Sequence, residues 1–255
     1  MRDSVDSSAE LCYKSAVIRA VLFDFSGTLA NCGAAWWALE LTTTASAPLR
    51  LLRQRSVLSI SDEALDCADQ LYRKLHVAAR TSGVEVSACE AARRVAASLG
   101  VAVADGALDA AVDELFRACL PDVVPIDGAL DTLRELHHRS LALGVISNAR
   151  YSPFVFWALK RLEMLPFFRT VVVSADVGLR KPQPEIFLNT LADLGIAAQE
   201  AAYVGDYYPY DMVGARAAGL HSVWLTDADK PHDDLPADLI ISHLPDLLPW
   251  LAQVS

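Results

Sequence analysis

The sequence predicts a doubly wound α/β fold: a parallel sheet with helices on both faces, carrying an all-helical insertion. Three observations carry that prediction. Short apolar runs recur and end in small or polar residues, segments of helical spacing separate them, and one interval between runs is far too long for a simple crossover. The first run, residues 18–25, reads Ile-Arg-Ala-Val-Leu-Phe-Asp-Phe and is broken by Ser26-Gly27, as expected of a strand buried on both faces. Later runs cover 141–146, ending at Ser147-Asn148; 170–173, ending at Ser174; 201–204, ending at Gly205-Asp206; 222–225; and 238–241. Between them, Leu130, Leu133 and Leu136, then 154–162, then Ile186, Phe187, Leu191 and Leu194 up to Gly195, then 212–218 up to Gly219, have helical spacing.

The long interval lies between the first and second strands. A crossover needs only about a dozen residues, yet more than a hundred separate Asp24 from Ser147. Within it, Leu65, Ala68, Tyr72, Leu75 and Ala79 repeat at helical spacing, as do Leu108, Val112, Leu115 and Cys119, and no alternating strand pattern occurs. Residues 31–122 therefore read as a helical cap domain of about four helices, broken at Gly83, Gly100 and Gly106 and leaving near Pro121-Asp122. Residues 1–30 and 123–255 read as the α/β core, with a loose tail before Ile18.

Composition narrows the function classes. A 255-residue chain that is 53% hydrophobic and 21% charged folds as a core plus an insertion and is not disordered in bulk. With 22 Lys and Arg against 32 Asp and Glu, the formal charge of -10 gives no general attraction to nucleic acid or anionic lipid. The five cysteines (Cys12, Cys32, Cys67, Cys89, Cys119) form no C-x-x-C pair, which speaks against a disulfide framework or a zinc site. The polar first 17 residues lack an apolar leader core, and no apolar run approaches the length of a membrane span. The expectation is a soluble cytoplasmic protein with no nucleic-acid or membrane partner.

Strand ends converge in such a sheet, so Asp24, Ser26, Ser147, Asp206 and Asp211, with Lys181 from the loop after the third strand, form one candidate set. Singly, each has an ordinary explanation. Asp-Ser-Gly sequences make tight bends, and acids near a helix start favour its dipole. Together, carboxylates from two strands can hold Mg²⁺ with water and a phosphate oxygen, while a hydroxyl and an ammonium take the remaining oxygens. The cation would screen an anionic nucleophile from an anionic substrate.

Asp24-Phe25-Ser26-Gly27-Thr28, Ser147-Asn148, Lys181-Pro182 and Gly205-Asp206 through Asp211 resemble, in order, the four signature motifs of the haloacid dehalogenase superfamily. The resemblance covers residues 18 to about 245, and the helical stretch is similar to that family's cap inserted between its first two motifs. It implies Asp24 as a nucleophile forming an aspartyl-phosphate and as a metal ligand. It also implies Ser147 and the Asn148 backbone as the phosphoryl-binding groups, with Lys181 steadying nucleophile and phosphate. Asp206 would be a direct Mg²⁺ ligand, Asp211 a second ligand or a partner to metal-bound water, and Thr28 would orient the nucleophile loop. The implied activity is Mg²⁺-dependent phosphoryl transfer from a small phosphorylated or otherwise anionic metabolite to Asp24 and then to water.

Ser26 departs from the pattern. Phosphatases of the family usually carry there an aspartate that protonates the leaving alkoxide and then activates water; Ser26 keeps only the backbone carbonyl that the family gives to the metal. General acid-base help is worth about 10² to 10⁴ in rate, so two alternatives stand beside the phosphatase reading. One is a phosphonate or haloacid hydrolase, the former needing a cap lysine, for which Lys74 is the only candidate in the insert. The other is a binding or scaffold module with little turnover.

Other conspicuous residues have simpler readings. Trp36 and Trp37 suit packing at the domain junction or a cavity wall. Arg50, Arg53 and Arg55 suit a solvated helix face, Cys32 an inert apolar position, and the six histidines, His137-His138 included, show no metal spacing. Tyr207, Tyr208 and Tyr210 make the loop before Asp211 unusually aromatic.

Overall fold

In the computed structural model, which describes residues 17–227 and 235–254, the first apolar run forms β1 (Ala20–Phe23). A two-residue strand, β2 (Ala30–Asn31), follows the turn at Gly27, and the chain then becomes helical. It forms α1 (Ala34–Ala38), which runs into a π-helical turn at Leu39–Thr43, then α2 (Ser46–Gln54), α3 (Asp62–Ser82), α4 (Ala88–Ser98) and α5 (Ala107–Ala118). Ser61 and Ser87 cap α3 and α4 by accepting hydrogen bonds from the Ala64 and Glu90 amides. Gly83, Gly100 and Gly106 fall between these helices.

The chain returns through β3 (Val124–Pro125), which pairs antiparallel with β2, so its exit from and re-entry to the sheet region lie side by side. From there strands and helices alternate: α6 (Ala129–His138), β4 (Ala142–Ser147), α7 (Ser152–Arg161), β5 (Thr170–Val173) and the single turn α8 (Ser174–Val177). Then come α9 (Pro184–Leu194), β6 (Ala201–Gly205), α10 (Asp211–Ala217), β7 (His221–Leu225), β8 (Leu239–Ile241) and α11 (Leu247–Val254). The loose tail expected before Ile18 falls, apart from Val17, outside the described residues.

The six strands β5-β4-β1-β6-β7-β8 form one parallel sheet. The chain grows outward from β1 on one side through β4 and β5, then crosses back to grow on the other through β6, β7 and β8. β1 is therefore the point at which the strand order reverses, where sheets of this kind form a crevice at the carboxyl ends. Every residue of β1 and β4 is buried. Side chains alternate: Val21 and Phe23 join the apolar cluster that continues under the cap, whereas Ala20 and Leu22 join Ile186, Phe187, Leu191 and Met212 on the opposite face. One continuous apolar cluster holds Phe25, Trp36, Leu49, Leu65, Phe116 and Phe154, so residues of the insert and of the sheet layer share a core.

Candidate active site

Asp24 follows β1 directly, and its backbone N–H donates to the Val204 carbonyl of β6 at 2.9 Å, which seats the carboxylate at the crevice. Gly27 turns the chain at φ +92°, where a side chain would be strained and a Cβ would strike the Asp206 carboxylate. Gly205 is tight for a related reason, since a Cβ there would collide with the Asp211 carboxylate. Both glycines let carboxylates from separate strand ends approach closely.

Lys181 is the hub. Its Nζ donates to Asp24 Oδ1 (2.7 Å), Asp211 Oδ1 (2.7 Å) and the Tyr203 hydroxyl (2.8 Å), which uses all three ammonium protons. Tyr203 donates in turn to the Ile146 carbonyl at 3.1 Å. Asp211 Oδ2 accepts the Tyr207 amide at 3.0 Å, so both Asp211 oxygens are engaged by the protein. Thr28 Oγ1 donates to Asp206 Oδ1 at 3.2 Å. The Asn148 side chain clips two loops together: Nδ2 donates to the Lys181 carbonyl at 3.0 Å and Oδ1 accepts the Lys181 amide at 2.9 Å.

Three carboxylates around one ammonium leave an excess of buried negative charge. Burial raises Asp24 despite the opposing pull of Lys181. Burial, reinforced by Asp211, pushes Asp206 up to about 6; burial, reinforced by Asp24, pushes Asp211 up to about 6. Burial alone would pull Lys181 down, but Asp211 and Asp24 outweigh it and hold the ammonium charged. Carboxylate oxygens of Asp24, Asp206 and Asp211 lie within 4.8 Å of one another, a hard-oxygen set of the kind that takes a divalent cation.

All seven residues selected from the sequence, Asp24, Ser26, Ser147, Asn148, Lys181, Asp206 and Asp211, line one cavity of about 300 Å³. Ser26 Oγ is buried and makes no hydrogen bond of ordinary geometry. Burial pushes the neighbouring Cys32 thiol up to about 12, so it is inert at neutral pH. Trp36 is buried and stacks on Phe154, with ring centroids 5.7 Å apart, while Trp37 is exposed; both line the cavity, so packing and wall roles coincide. Tyr207 and Tyr210 line the same cavity, but Tyr208 turns away to pack on Trp224. Arg50, Arg53 and Arg55 pair on the surface with Asp66, Asp62 and Glu114. Lys74 is exposed and stands with Arg73 and Val77 in a separate shallow groove, outside the Asp24 cavity. Tyr72, on the same helix, is fully buried, its hydroxyl donating to the Glu40 carbonyl.

Among the other cavity residues are an acid and four basic side chains that the sequence reading gave no role in the site: Glu40, His76, Arg80, Arg150 and Arg180. Arg150 and Arg180 had a signal, since they lie two positions after Asn148 and one before Lys181. Glu40 and His76 had none beyond ordinary helical placement. With Glu85 they build a second buried charge cluster. Both Glu40 oxygens accept the Arg150 backbone N–H (3.2 and 3.3 Å), and the Arg150 guanidinium lies 3.9 Å from Glu40 and 3.7 Å from Glu85. Arg150 Nη2 also meets His76 Nδ1, Arg180 pairs closely with Glu85, and Ser174 Oγ donates to Glu85 at 2.7 Å. Burial and Arg150 depress His76 to about 4, leaving it neutral at physiological pH.

A reversed-order parallel sheet whose crevice gathers carboxylates, an ammonium and a hydroxyl defines an α/β protein with one polar site at its strand ends. The chain belongs to the haloacid dehalogenase-like hydrolase family, whose model matches residues 21–225. It is 34% identical over 128 residues to the glyceraldehyde 3-phosphate phosphatase of Pyrococcus furiosus, covering 48% of this chain and 52% of that protein. It is 36% identical over 124 residues to the phosphoglycolate phosphatase of Escherichia coli K12, covering 48% of each. The chain thus spans about half the length of these curated relatives. Among solved structures it resembles a 2-haloacid dehalogenase from Pseudomonas syringae pv. tomato DC3000 (TM-score 0.69, 24% identity, 93% of this chain and 100% of that one). It also resembles an HAD phosphatase from Thermococcus onnurineus (TM-score 0.64, 23% identity, 92% and 98%). At these identities the structural likeness establishes the fold alone. No helix of the described residues is long and apolar enough to cross a membrane.

Proposed function

We propose that this protein is a Mg²⁺-dependent phosphatase that moves the phosphoryl group of a small phosphorylated metabolite to Asp24 and then to water. The observation that carries this reading is the grouping of Asp24, Asp206 and Asp211 carboxylate oxygens within 4.8 Å, in the cavity that Ser147 and Lys181 also line. The phosphatase relatives support the class of substrate.

Asp24 attacks phosphorus through a carboxylate oxygen, one hard displacement becoming two easier ones. Lys181, fixed by three acceptors, holds that carboxylate in place and offsets charge on the transferring group. Ser147 and the Asn148 backbone bind phosphoryl oxygens, while the Asn148 side chain keeps the Lys181 loop in register. Asp24, Asp206 and the Ser26 carbonyl would hold Mg²⁺. Asp211, engaged by Lys181 and Tyr207, supports the set from behind. A bound Mg²⁺ supplies screening between nucleophile and phosphoryl oxygens. Exposure of Lys74 outside the cavity argues against a Schiff-base phosphonate hydrolysis.

The test is a panel of phosphomonoesters that includes glyceraldehyde 3-phosphate and phosphoglycolate, with an acyl phosphate, a phosphonate and a haloacid. It is run with and without Mg²⁺ on wild type and Asp24→Asn. Phosphate release that needs both Mg²⁺ and Asp24 is expected. Metal-independent halide release would move the protein to dehalogenation, and no turnover in any class would favour a binding module.

A further inference from the structure

Alkyl phosphate cleavage leaves an alkoxide that needs a proton, and hydrolysis of the aspartyl-phosphate needs a base for water. Of the titratable side chains lining the cavity, Asp24, Asp206 and Asp211 form the metal-binding cluster, and Lys181 spends its three protons on Asp24, Asp211 and Tyr203. Arg80, Arg150 and Arg180 do not release protons near neutrality. His76 is held neutral, its Nδ1 against Arg150. Ser26 has no carboxyl. Glu40 is left.

Resting on the phosphatase reading, we infer that Glu40, reaching the cavity from the insert's first helical segment, is the proton donor and acceptor of the reaction. Its side chain is 6% exposed, and both oxygens are fixed by the Arg150 amide, two residues beyond Asn148 in the phosphoryl-binding loop. It lines the same cavity as Asp24. The leaving oxygen of an in-line displacement lies on the side of phosphorus opposite the attacking Asp24 oxygen. Burial raises Glu40 to about 7, with Glu85 adding to the rise and Arg150, its amide and Arg180 opposing it. Tyr72 donates to the Glu40 backbone carbonyl and not to its carboxyl.

The steps balance. Asp24 forms the O–P bond as the P–O bond to the leaving group breaks; the leaving oxygen keeps that electron pair and takes the Glu40 proton, giving an alcohol, an aspartyl-phosphate and a Glu40 carboxylate. Water then attacks phosphorus, its proton goes to Glu40, and the breaking P–O bond returns its electron pair to Asp24, releasing inorganic phosphate. Glu40 ends protonated, as it began.

The experiment compares single-turnover alcohol release from p-nitrophenyl phosphate, whose phenolate leaves without a proton, and from the best alkyl phosphate of the panel. In Glu40→Gln, which keeps an acceptor for the Arg150 amide, alkyl cleavage should fall by about 10² to 10⁴ and the aryl burst by less than about tenfold. In wild type, the alkyl rate should fall as pH rises through about 7, where Glu40 loses its proton, and the aryl rate should not. Glu40→Asp should restore part of the alkyl rate. Equal losses on both esters, or an alkyl pH limb that persists in a folded Glu40→Gln protein, would overturn the assignment while the Asp24 reading stands. Should the variant fail to fold, the two wild-type pH profiles decide: identical limbs refute Glu40. A wild type inactive on both esters, or an aryl burst that survives Asp24→Asn, overturns the phosphatase reading first and this inference with it.

Discussion

Two buried charge clusters share one cavity and solve different problems. The strand-end cluster of Asp24, Asp206, Asp211 and Lys181 belongs wholly to the sheet crevice and carries more negative than positive charge. The neighbouring cluster draws Glu40, His76 and Glu85 from the helical insert and Arg150 and Arg180 from loops of the sheet layer; two carboxyl groups face two guanidinium groups. The first carries an excess of negative charge of the kind a divalent cation offsets. The second finds its ionic partners within the protein and ties the insert to the loops that carry Asn148 and Lys181. A buried charge excess points to a ligand, whereas buried ion pairs across a junction point to a latch.

Breaking the cluster across the junction should cost most. Glu85→Gln leaves Arg180 and Arg150 buried with one carboxylate fewer, and removing one partner of a buried pair typically costs about 3–5 kcal/mol. Urea unfolding should show that loss; a change below about 1 kcal/mol would place the pair among surface-like contacts. Filling the strand-end cluster should do the reverse. Mg²⁺ at about a hundredfold over its Kd should stabilise the protein by about 2.7 kcal/mol, and Asp206→Asn should abolish most of that gain in a thermal melt. Gly27→Ala tests the close approach within the same cluster. A methyl at φ +92° facing Asp206 should cost about 1–3 kcal/mol and weaken Mg²⁺ binding, read by calorimetry.

The smallest expected effect sharpens the contrast through pH. His76 is depressed to about 4 from an ordinary 6.5, so between those values the unfolded chain takes up a proton that the folded chain refuses. Its contribution to stability is therefore full above 6.5 and is lost as pH falls toward 4. Glu40 acts in the opposite sense, its rise from 4.5 to about 7 costing stability as pH climbs through that range. Unfolding of His76→Gln and wild type across pH 4–7 should show the difference shifting in the variant's favour toward acid. A difference independent of pH would mean that burial and Arg150 do not hold His76 neutral.

Much of the sheet and of its crevice was legible because a strand buried on both faces must be apolar along its length and must end in something polar. Residues 170–173 appear as β5 with the same limits, and the run ending at Gly205-Asp206 appears as β6. Asp24, Ser147, Lys181 and Asp206 sit next to such ends or in the loops between them. Tyr203 was hidden within β6 because its ring packs as an apolar residue while its hydroxyl serves Lys181. Lys74 stood out as the insert's lone lysine and proved exposed, outside the cavity.

The sequence by itself determined the succession of the six sheet strands along the chain, the long helical excursion and the residues at the strand ends, since these follow from local periodicity and from what can follow a buried strand. Only the tertiary structure decided which face of the insert meets the crevice. Helical spacing tells which residues are apolar together, but a buried glutamate or histidine obeys no such period. Glu40 and His76 became cavity residues when Arg150 and Arg180, far away along the chain, gave them charge and hydrogen bonds that make their burial tolerable.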